Sequence, residues 1–339
     1  MDFSFSHGVN PSEMESLYSA PMSNSSNNLA FVFPGQGSQS VGMLSKLAAE
    51  SPVIRSTFDE ASTALGYDLW ALSSEGPIED LNETERTQPA ILVAGIAAWR
   101  LWRERGGPRP AVVTGHSLGE FTALVAAEAI DFLACVDLVR FRGKVMQEAV
   151  PLGTGSMAAL LGLEDADVEA ACAEAAQGSV LEAVNFNAPG QVVIAGEKAA
   201  VLRGIEIAKA RGAKRAIELP VSVPSHSSLM KSAGTRLGER LAATAIRAPR
   251  IRYLSAVDAM EHSDPDDIRT LLVRQLSSPV RWTSTVAAMS GGGITKMVEC
   301  GPGGVLAGLM KRIERRRDTQ IFTIEAPELF QAALSAASA

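Results

Sequence analysis

Short apolar runs alternate with amphipathic stretches along most of the chain. The runs LAFVF (29–33) and AVVTG (111–115) have the length and the β-branched or aromatic content of buried strands, and helix-favouring residues follow each of them. Between them a long helix is predicted to begin near Thr87, with Pro89 tolerated in its first turn, and to end before the breaker cluster GGPRP. This alternation indicates an α/β domain with a mainly parallel sheet.

The middle of the chain departs from this alternation. Four strand-like runs, SMAALLG, VLEAVNF, QVVIAG and AKRAIEL, are combined with two helical stretches, 164–177 and 197–211, in the order βαββαβ. That order is typical of a ferredoxin-like unit. We therefore predict a ferredoxin-like small subdomain, residues 153–220, inserted in a large α/β-hydrolase-like domain formed by residues 29–152 and 221–339.

The composition is that of a soluble globular protein, with 46% hydrophobic and 20% charged residues among 339. The net charge of −7 disfavours nucleic-acid binding, and the apolar run PAILVAGIAAW is too short to span a membrane. Cys135, Cys172 and Cys300 form no CxxC pair, which favours a reducing compartment and argues against structural zinc. Residues 1–28, rich in Ser and Asn, are predicted to be a flexible leader. Because no Lys or Arg precedes Lys46, no targeting signal is recognised and a cytoplasmic location is expected.

The stretch GHSLG places Ser117 between a predicted strand and a predicted helix. This G-x-S-x-G pattern is the nucleophile-elbow signature, in which a tight turn raises the serine hydroxyl above the sheet edge. The helix is expected to start at Ser117 and to direct its free N–H groups at a developing oxyanion, with the amide of Leu118 as donor. The alternative is that Ser117 only caps the helix, since serine is a favoured N-cap residue.

An activated serine needs a base, and the chain has four histidines. His7 lies in the leader, His116 lies inside the elbow and is assigned to packing, and His262 lies in a polar loop. By elimination His226 is the best partner, because two prolines in LPVSVPSHSSLM stiffen its segment. Asp258 is a candidate triad acid, but it follows the histidine instead of preceding it. A Ser–His dyad oriented by a backbone carbonyl is therefore left open.

With these residues in place, the chain resembles the malonyl-CoA:acyl carrier protein transacylase family, the stand-alone malonyltransferases of bacterial fatty-acid synthesis. Seven stretches carry the resemblance, in the family's order: FVFPGQGSQ, TQPAILVAG, GHSLGEFTALV, RGKVMQEAVPLGTGSMAAL, NFNAPGQVVIAG, PVSVPSHSSLM and ECGPGGVLAGLMKRI. Acyltransferase domains of modular polyketide synthases share this core, so a role in polyketide synthesis is the alternative pathway.

The resemblance implies a role for each matching position. Ser117 would accept the acyl group, His226 would act as general base and acid, and the main-chain carbonyl of Gln275 would steady the histidine. The backbone amides of Gln36 and Leu118 match the family's oxyanion hole. The guanidinium of Arg142 matches the clamp that holds the substrate's free carboxylate.

The implied reaction moves a malonyl group from malonyl-CoA to the phosphopantetheine thiol of acyl carrier protein, by ping-pong transfer through an O-malonyl-serine. It requires no cofactor and no metal, and a monomer is expected. Two features depart from the family pattern. Residues 1–28 have no counterpart in its core, and Ser225 precedes the histidine where many polyketide-type relatives carry Phe.

Other functions are weighed against this one. A serine thioesterase or esterase would need a third acid and no clamp, and a carrier-protein-binding module would not require a nucleophile, a base and a clamp together. A dinucleotide-binding motif at GQGSQS is disfavoured because Ser40 stands where glycine is required. Asp59 does follow the motif at the sequence spacing expected of a carboxylate that binds the ribose. The basic stretch 311–317 and the pair Lys214 and Arg215 are interpreted as solvated faces or as a docking surface for an acidic carrier protein.

Overall fold

The structure is a computed structural model that describes residues 28–221 and 223–339. The predicted leader therefore lies outside the described residues except for Asn28, and so does His7. No helix among the described residues combines the length and the apolar character needed to cross a membrane.

Two sheets and a surrounding set of helices make up the described chain. Its strands are β1 Leu29–Phe33, β2 Val112–Gly115, β3 Gly155–Leu161, β4 Leu181–Ala188, β5 Gln191–Glu197, β6 Arg215–Glu218, β7 Arg252–Leu254, β8 Glu261–His262, β9 Lys296–Glu299 and β10 Gln320–Thr323. Its α-helices are α1 Ser45–Glu50, α2 Pro52–Leu65, α3 Leu69–Glu75, α4 Ile78–Leu81, α5 Thr84–Glu104, α6 Gly119–Ala126, α7 Phe132–Glu148, α8 Asp165–Ala176, α9 Lys198–Ala210, α10 Lys231–Ala242, α11 Pro265–Arg274, α12 Trp282–Gly291, α13 Val305–Ile313 and α14 Pro327–Ser338.

The larger sheet has the strand order β10-β9-β1-β2-β7-β8, and every neighbouring pair is parallel except β7 and β8. The predicted parallel core is thus confirmed. Phe33 pairs with Gly115 on one side of β1, and Val32 pairs with Glu299 on the other, so three strands end level with one another. The loops that follow them, including the one that carries Ser117, meet at this edge.

Strand β1 is buried on both faces, as a central parallel strand should be. Phe31 and Phe33 belong to the cluster packed under α5 and α6, whereas Ala30 and Val32 face the opposite cluster. Edge-to-face contact places the ring of Phe31 5.0 Å from that of Trp102. Both sides of the sheet are therefore covered, which is the layered arrangement that the alternating sequence pattern predicts.

Helix α5 begins one turn earlier than the sequence predicts, at Thr84 instead of Thr87. The carbonyl of Glu83 accepts from the N–H groups of both Arg86 and Thr87, at 2.7 Å each, and this closes the extra turn. Pro89 consequently lies in the second turn. Nearly every residue from Thr87 to Trp99 is buried, so packing on all sides outweighs the missing N–H of the proline.

The smaller sheet is antiparallel, in the order β4-β5-β3-β6. Its elements follow the predicted order βαββαβ, and helices α8 and α9 cover one face. The amide of Phe186 donates to the carbonyl of Val280, and the amide of Val280 donates to the carbonyl of Val184, both at 2.9 Å. These two bonds fasten the small sheet to the segment before α12.

Gly119 lies where α6 packs on the end of β1. A Cβ atom at this position would stand 1.9 Å from the carbonyl oxygen of Phe33, so no neighbouring side chain could move aside to make room. We expect Gly119→Ala to lower the free energy of unfolding by about 1–3 kcal/mol or more. Gly308, at an exposed position of α13 with open space around it, is the matched control, and Gly308→Ala should raise the free energy of unfolding by about 0.5–1 kcal/mol. Chemical denaturation measures both, and equal effects would show that the close approach is unimportant.

Candidate active site

Ser117 lies in the turn between β2 and α6 with φ 54°, a left-handed conformation that is strained for a residue with a side chain. The prediction that the helix starts at Ser117 is wrong by two residues, because this turn separates the serine from the first helical residue, Gly119. Among the described residues the serine hydroxyl contacts the side chains of His226 and Arg142, and no amide of the helix donates to it. It projects from the carboxyl edge of the sheet instead.

His226 faces this hydroxyl. Its Nε2 lies 2.8 Å from Oγ of Ser117, and its Nδ1 lies 2.8 Å from the main-chain oxygen of Gln275. A carbonyl can only accept, so Nδ1 carries the proton and Nε2 is left as the acceptor for the serine proton. The segment is further held by the His226 amide, which donates to the carbonyl of Leu276 at 3.0 Å.

Burial, together with the positive charge of Arg142 nearby, lowers the pKa of His226 to about 3. The imidazole is therefore neutral near pH 7, which is the form able to remove a proton. Asp258 does not take part in this pair. It hydrogen-bonds to Nε2 of His262 at 3.1 Å and lies 3.6 Å from the guanidinium of Arg274. The dyad with a carbonyl, left open by the sequence, is the arrangement in the structure.

Arg142, on α7, is 1% exposed and points at the serine. One terminal nitrogen, Nη1, donates to Oε1 of Gln88 at 2.9 Å. The other, Nη2, donates to Oε1 of Gln275 at 2.8 Å and to Oγ of Ser117 at 3.2 Å. Burial lowers the pKa of Arg142 to about 10, so the side chain remains a cation at neutral pH.

Gln36 and Leu118 line the same cavity as Ser117. Loop contact is tight here, since a Cβ on Gly35 would stand 2.4 Å from the carbonyl oxygen of His116. Within the part of the chain that the structure describes, neither the amide of Gln36 nor that of Leu118 has a hydrogen-bond partner. Both are therefore available to an oxygen that develops charge next to Ser117.

A cavity of about 570 Å³ opens over the dyad, between the two sheets. Ser117, Arg142 and His226 form its base, and Met157 and Val193 of the small sheet form part of its wall. Arg142 carries the one full charge among the described residues that line it. An acyl group that reaches the serine thus meets apolar and neutral polar side chains and a single cation. No cluster of three or more potential metal ligands occurs among the described residues.

Comparison with known proteins shows the family of the chain. The acyl transferase domain family model matches residues 30–323, most of the chain. The malonyl CoA-acyl carrier protein transacylase of Escherichia coli K12 is 56% identical over 284 residues, which cover 84% of this chain and 92% of that protein. The chain belongs to this transacylase family. It is an acyltransferase.

Solved structures of the family superpose closely. An acyl carrier protein S-malonyltransferase from Vibrio cholerae is 53% identical, with a TM-score of 0.87 over 90% of this chain and 99% of that one. A malonyl-transacylase, solved in complex with a holo type II polyketide-synthase acyl carrier protein, is 50% identical. Its TM-score is 0.89, and the match covers 91% of this chain and 99% of that one.

Several residues near the dyad escape sequence reasoning. His116, assigned to packing, lines the cavity and binds Oδ1 of Asn187 through Nε2 at 2.8 Å, which ties the elbow to the small sheet. Gln88 and Glu120 contact the site from helices α5 and α6. A neutral amide or a carboxylate on a helix carries no motif of its own. Only their position in stretches that resemble the family could have singled them out.

The other candidate features lie elsewhere. Asp59 pairs with Arg55 on an exposed face of α2, with Nε and Oδ1 2.8 Å apart, and takes no part in the loop GQGSQ. In the basic stretch 311–317, the guanidinium of Arg316 donates to the carbonyls of Ser290 at 3.0 Å and Ile294 at 2.7 Å. That arginine stabilises packing, so it is not a freely solvated docking residue.

The lowered pKa of His226 determines how acylation should depend on pH. Because the folded pKa, about 3, lies below the usual histidine value of 6.5, the basic form persists as the pH falls from 8 to 5. We expect the single-turnover rate of Ser117 acylation to stay level across this range. Rapid-quench measurement of acyl transfer checks it. A rate that halves near pH 6.5 would show that His226 titrates like an ordinary histidine.

Proposed function

We propose that this chain transfers the malonyl group from malonyl-CoA to the phosphopantetheine thiol of acyl carrier protein and so supplies fatty-acid synthesis. The observation that carries the proposal is the meeting of three groups in one cavity: the Ser117 hydroxyl, the neutral His226 ring and the buried Arg142 cation. The curated relatives that share the fold are named as transacylases between these two partners.

In the first half-reaction the Ser117 oxygen attacks the thioester carbonyl while Nε2 of His226 removes its proton. The amides of Gln36 and Leu118 receive the oxyanion, and loss of one such donor typically costs about 10²–10³ in rate. The tetrahedral intermediate then expels the CoA sulfur, which takes the proton back from His226. An O-malonyl-serine remains.

In the second half-reaction the thiol of the carrier protein's phosphopantetheine enters the emptied site. His226 removes its proton, the thiolate attacks the serine ester, and the proton returns to Oγ of Ser117 as the malonyl thioester leaves. The same base and the same oxyanion donors thus serve both half-reactions of the ping-pong transfer.

Arg142 selects the acyl group. A guanidinium can bind a carboxylate through two parallel hydrogen bonds, a geometry that a lysine ammonium cannot reproduce. Since Nη2 lies 3.2 Å from the serine oxygen, a carboxylate on the cation and a thioester carbonyl at the serine must belong to one short acyl chain. Malonyl has that length.

We also propose a division of the chain into two units. We assign residues 29–152 and 221–339 to an α/β-hydrolase-like domain and residues 153–220 to a ferredoxin-like subdomain. The strand order β6-β3-β5-β4, with both helices on one face, supports the second assignment. One chain supplies every proposed catalytic group, which supports a monomer, and three buried free cysteines support a cytoplasmic location.

A carrier protein of polyketide synthesis is the second candidate acceptor. One solved relative, 50% identical, is a malonyl-transacylase bound to such a protein. Comparing discharge of the acyl-enzyme by fatty-acid and polyketide carrier proteins would separate the two pathways.

Intact-protein mass spectrometry tests the covalent step. Brief incubation with malonyl-CoA should add one malonyl mass to the wild type, and addition of holo acyl carrier protein should remove it. Ser117→Ala should gain no adduct, because Ser117 is the nucleophile that hydrogen-bonds to Nε2 of His226 in the described part of the chain. Steady CoA release without an adduct would instead identify a thioesterase, and neither adduct nor CoA release would favour a binding module.

Arg142→Ala should reduce malonyl loading by roughly 10-fold to 100-fold and retain acetyl loading, because hydrogen bonds to charged groups contribute about 1.5–3 kcal/mol. The ratio of kcat/KM for malonyl-CoA to that for acetyl-CoA measures the effect. Arg140, two residues away and partly exposed on the same helix, supplies the control Arg140→Ala. Equal loss with both acyl groups would refute the carboxylate clamp.

A further inference from the structure

The proposed clamp is held by neutral groups alone. Within the described part of the chain, Arg142 forms no salt bridge, and its terminal nitrogens donate to Gln88, Gln275 and Ser117. A direct carboxylate partner would satisfy the guanidinium better, but it would occupy the donors that a substrate carboxylate needs. Something in the fold must therefore orient the cation without neutralising it.

Gln275 has the geometry for that task. Its side-chain Oε1 accepts from Arg142, while Nε2 donates to the carbonyl of Ser117 and to Oε1 of Glu120, both at 2.9 Å. Rotating the amide by half a turn would set its NH₂ against the guanidinium and its oxygen against two other oxygens. The three contacts therefore fix the amide in one orientation.

Glu120 supplies the anchor for this amide. Its carboxyl group is buried on α6, outside the residues that line the cavity, and its second oxygen accepts from the hydroxyl of Tyr253 on β7. The reaction gives it no step to perform. Burial raises the pKa of Glu120, and the hydrogen bonds from Tyr253 and Gln275 oppose that shift, so the three side chains form one interdependent buried network.

We propose that Glu120, acting through the side-chain amide of Gln275, is a positioning residue that holds Arg142 toward Ser117 and keeps it free of a carboxylate partner. It thereby sets the preference for an acyl group that carries a second carboxylate. This role rests on the proposed malonyl transfer, and it is distinct from that of the Gln275 main-chain oxygen, which orients His226.

The test compares Glu120→Leu, Glu120→Gln and Tyr253→Phe by the ratio of kcat/KM for malonyl-CoA and acetyl-CoA. Glu120→Leu removes one of the two acceptors for Nε2 of Gln275 and leaves only the carbonyl of Ser117, so the malonyl preference should fall about 10-fold, mainly through a higher KM for malonyl-CoA. Glu120→Gln keeps an oxygen facing Nε2 and should restore most of the preference. Tyr253→Phe removes one of the other hydrogen bonds to the carboxyl group and should shift the ratio in the same direction by less.

Thr122→Val is the matched control, since Thr122 is buried on the same helix and its hydroxyl has no hydrogen-bond partner within the described residues. Thermal unfolding establishes that each variant is folded. If Glu120→Leu does not fold, the ratio of kcat/KM for malonyl-CoA and acetyl-CoA in Tyr253→Phe tests the proposal instead.

Two results would overturn the positioning role: a folded variant that loses malonyl and acetyl transfer equally, or one whose ratio equals that of the wild type. A wild type that forms no malonyl adduct would refute the proposed function itself, which the mass measurement detects separately.

Discussion

Burial of one cation without an acidic partner is the constraint on which the rest of the site depends. Taking a guanidinium out of water costs several kcal/mol unless its donors find acceptors. Gln88, Gln275 and Ser117 supply neutral oxygens to the terminal nitrogens of Arg142. Among the described residues its Nε has no partner, and no carboxylate contacts the guanidinium. A carboxylate that enters the cavity therefore meets the Arg142 cation, whose charge is not neutralised by any group in direct contact.

The parallel sheet makes this arrangement possible. Because β1, β2 and β9 end level with one another, the loops that carry Gln36 and Ser117 reach the same point. Helix α7 then brings Arg142 beside the serine, and the turn after α11 brings Gln275 to both the arginine and the histidine. Each group comes from a different element, and its own packing holds it in place.

Much of this could be predicted from the sequence. Strand and helix periods indicated the parallel core, and the elbow motif with only four histidines led to Ser117 and His226. The start of α5 was missed by one turn because the decisive acceptor is a main-chain carbonyl, that of Glu83, which leaves no side-chain signal. Glu120 and Tyr253 were missed for another reason. They are 133 positions apart, so only the packing of α6 beside β7 brings them together.

The proposed clamp, Arg142, and the proposed base, His226, are also coupled by charge. Besides burial, the positive charge of Arg142 holds the pKa of His226 down, which keeps the ring neutral but makes it a weak base. A substrate carboxylate bound to Arg142 would offset that charge, and the ring would then accept a proton more readily. The base would strengthen when the correct acyl group is in place. An acyl group without a carboxylate leaves the histidine weak. The same cation can therefore act on selectivity twice, once through the strength of binding and once through the rate of proton transfer.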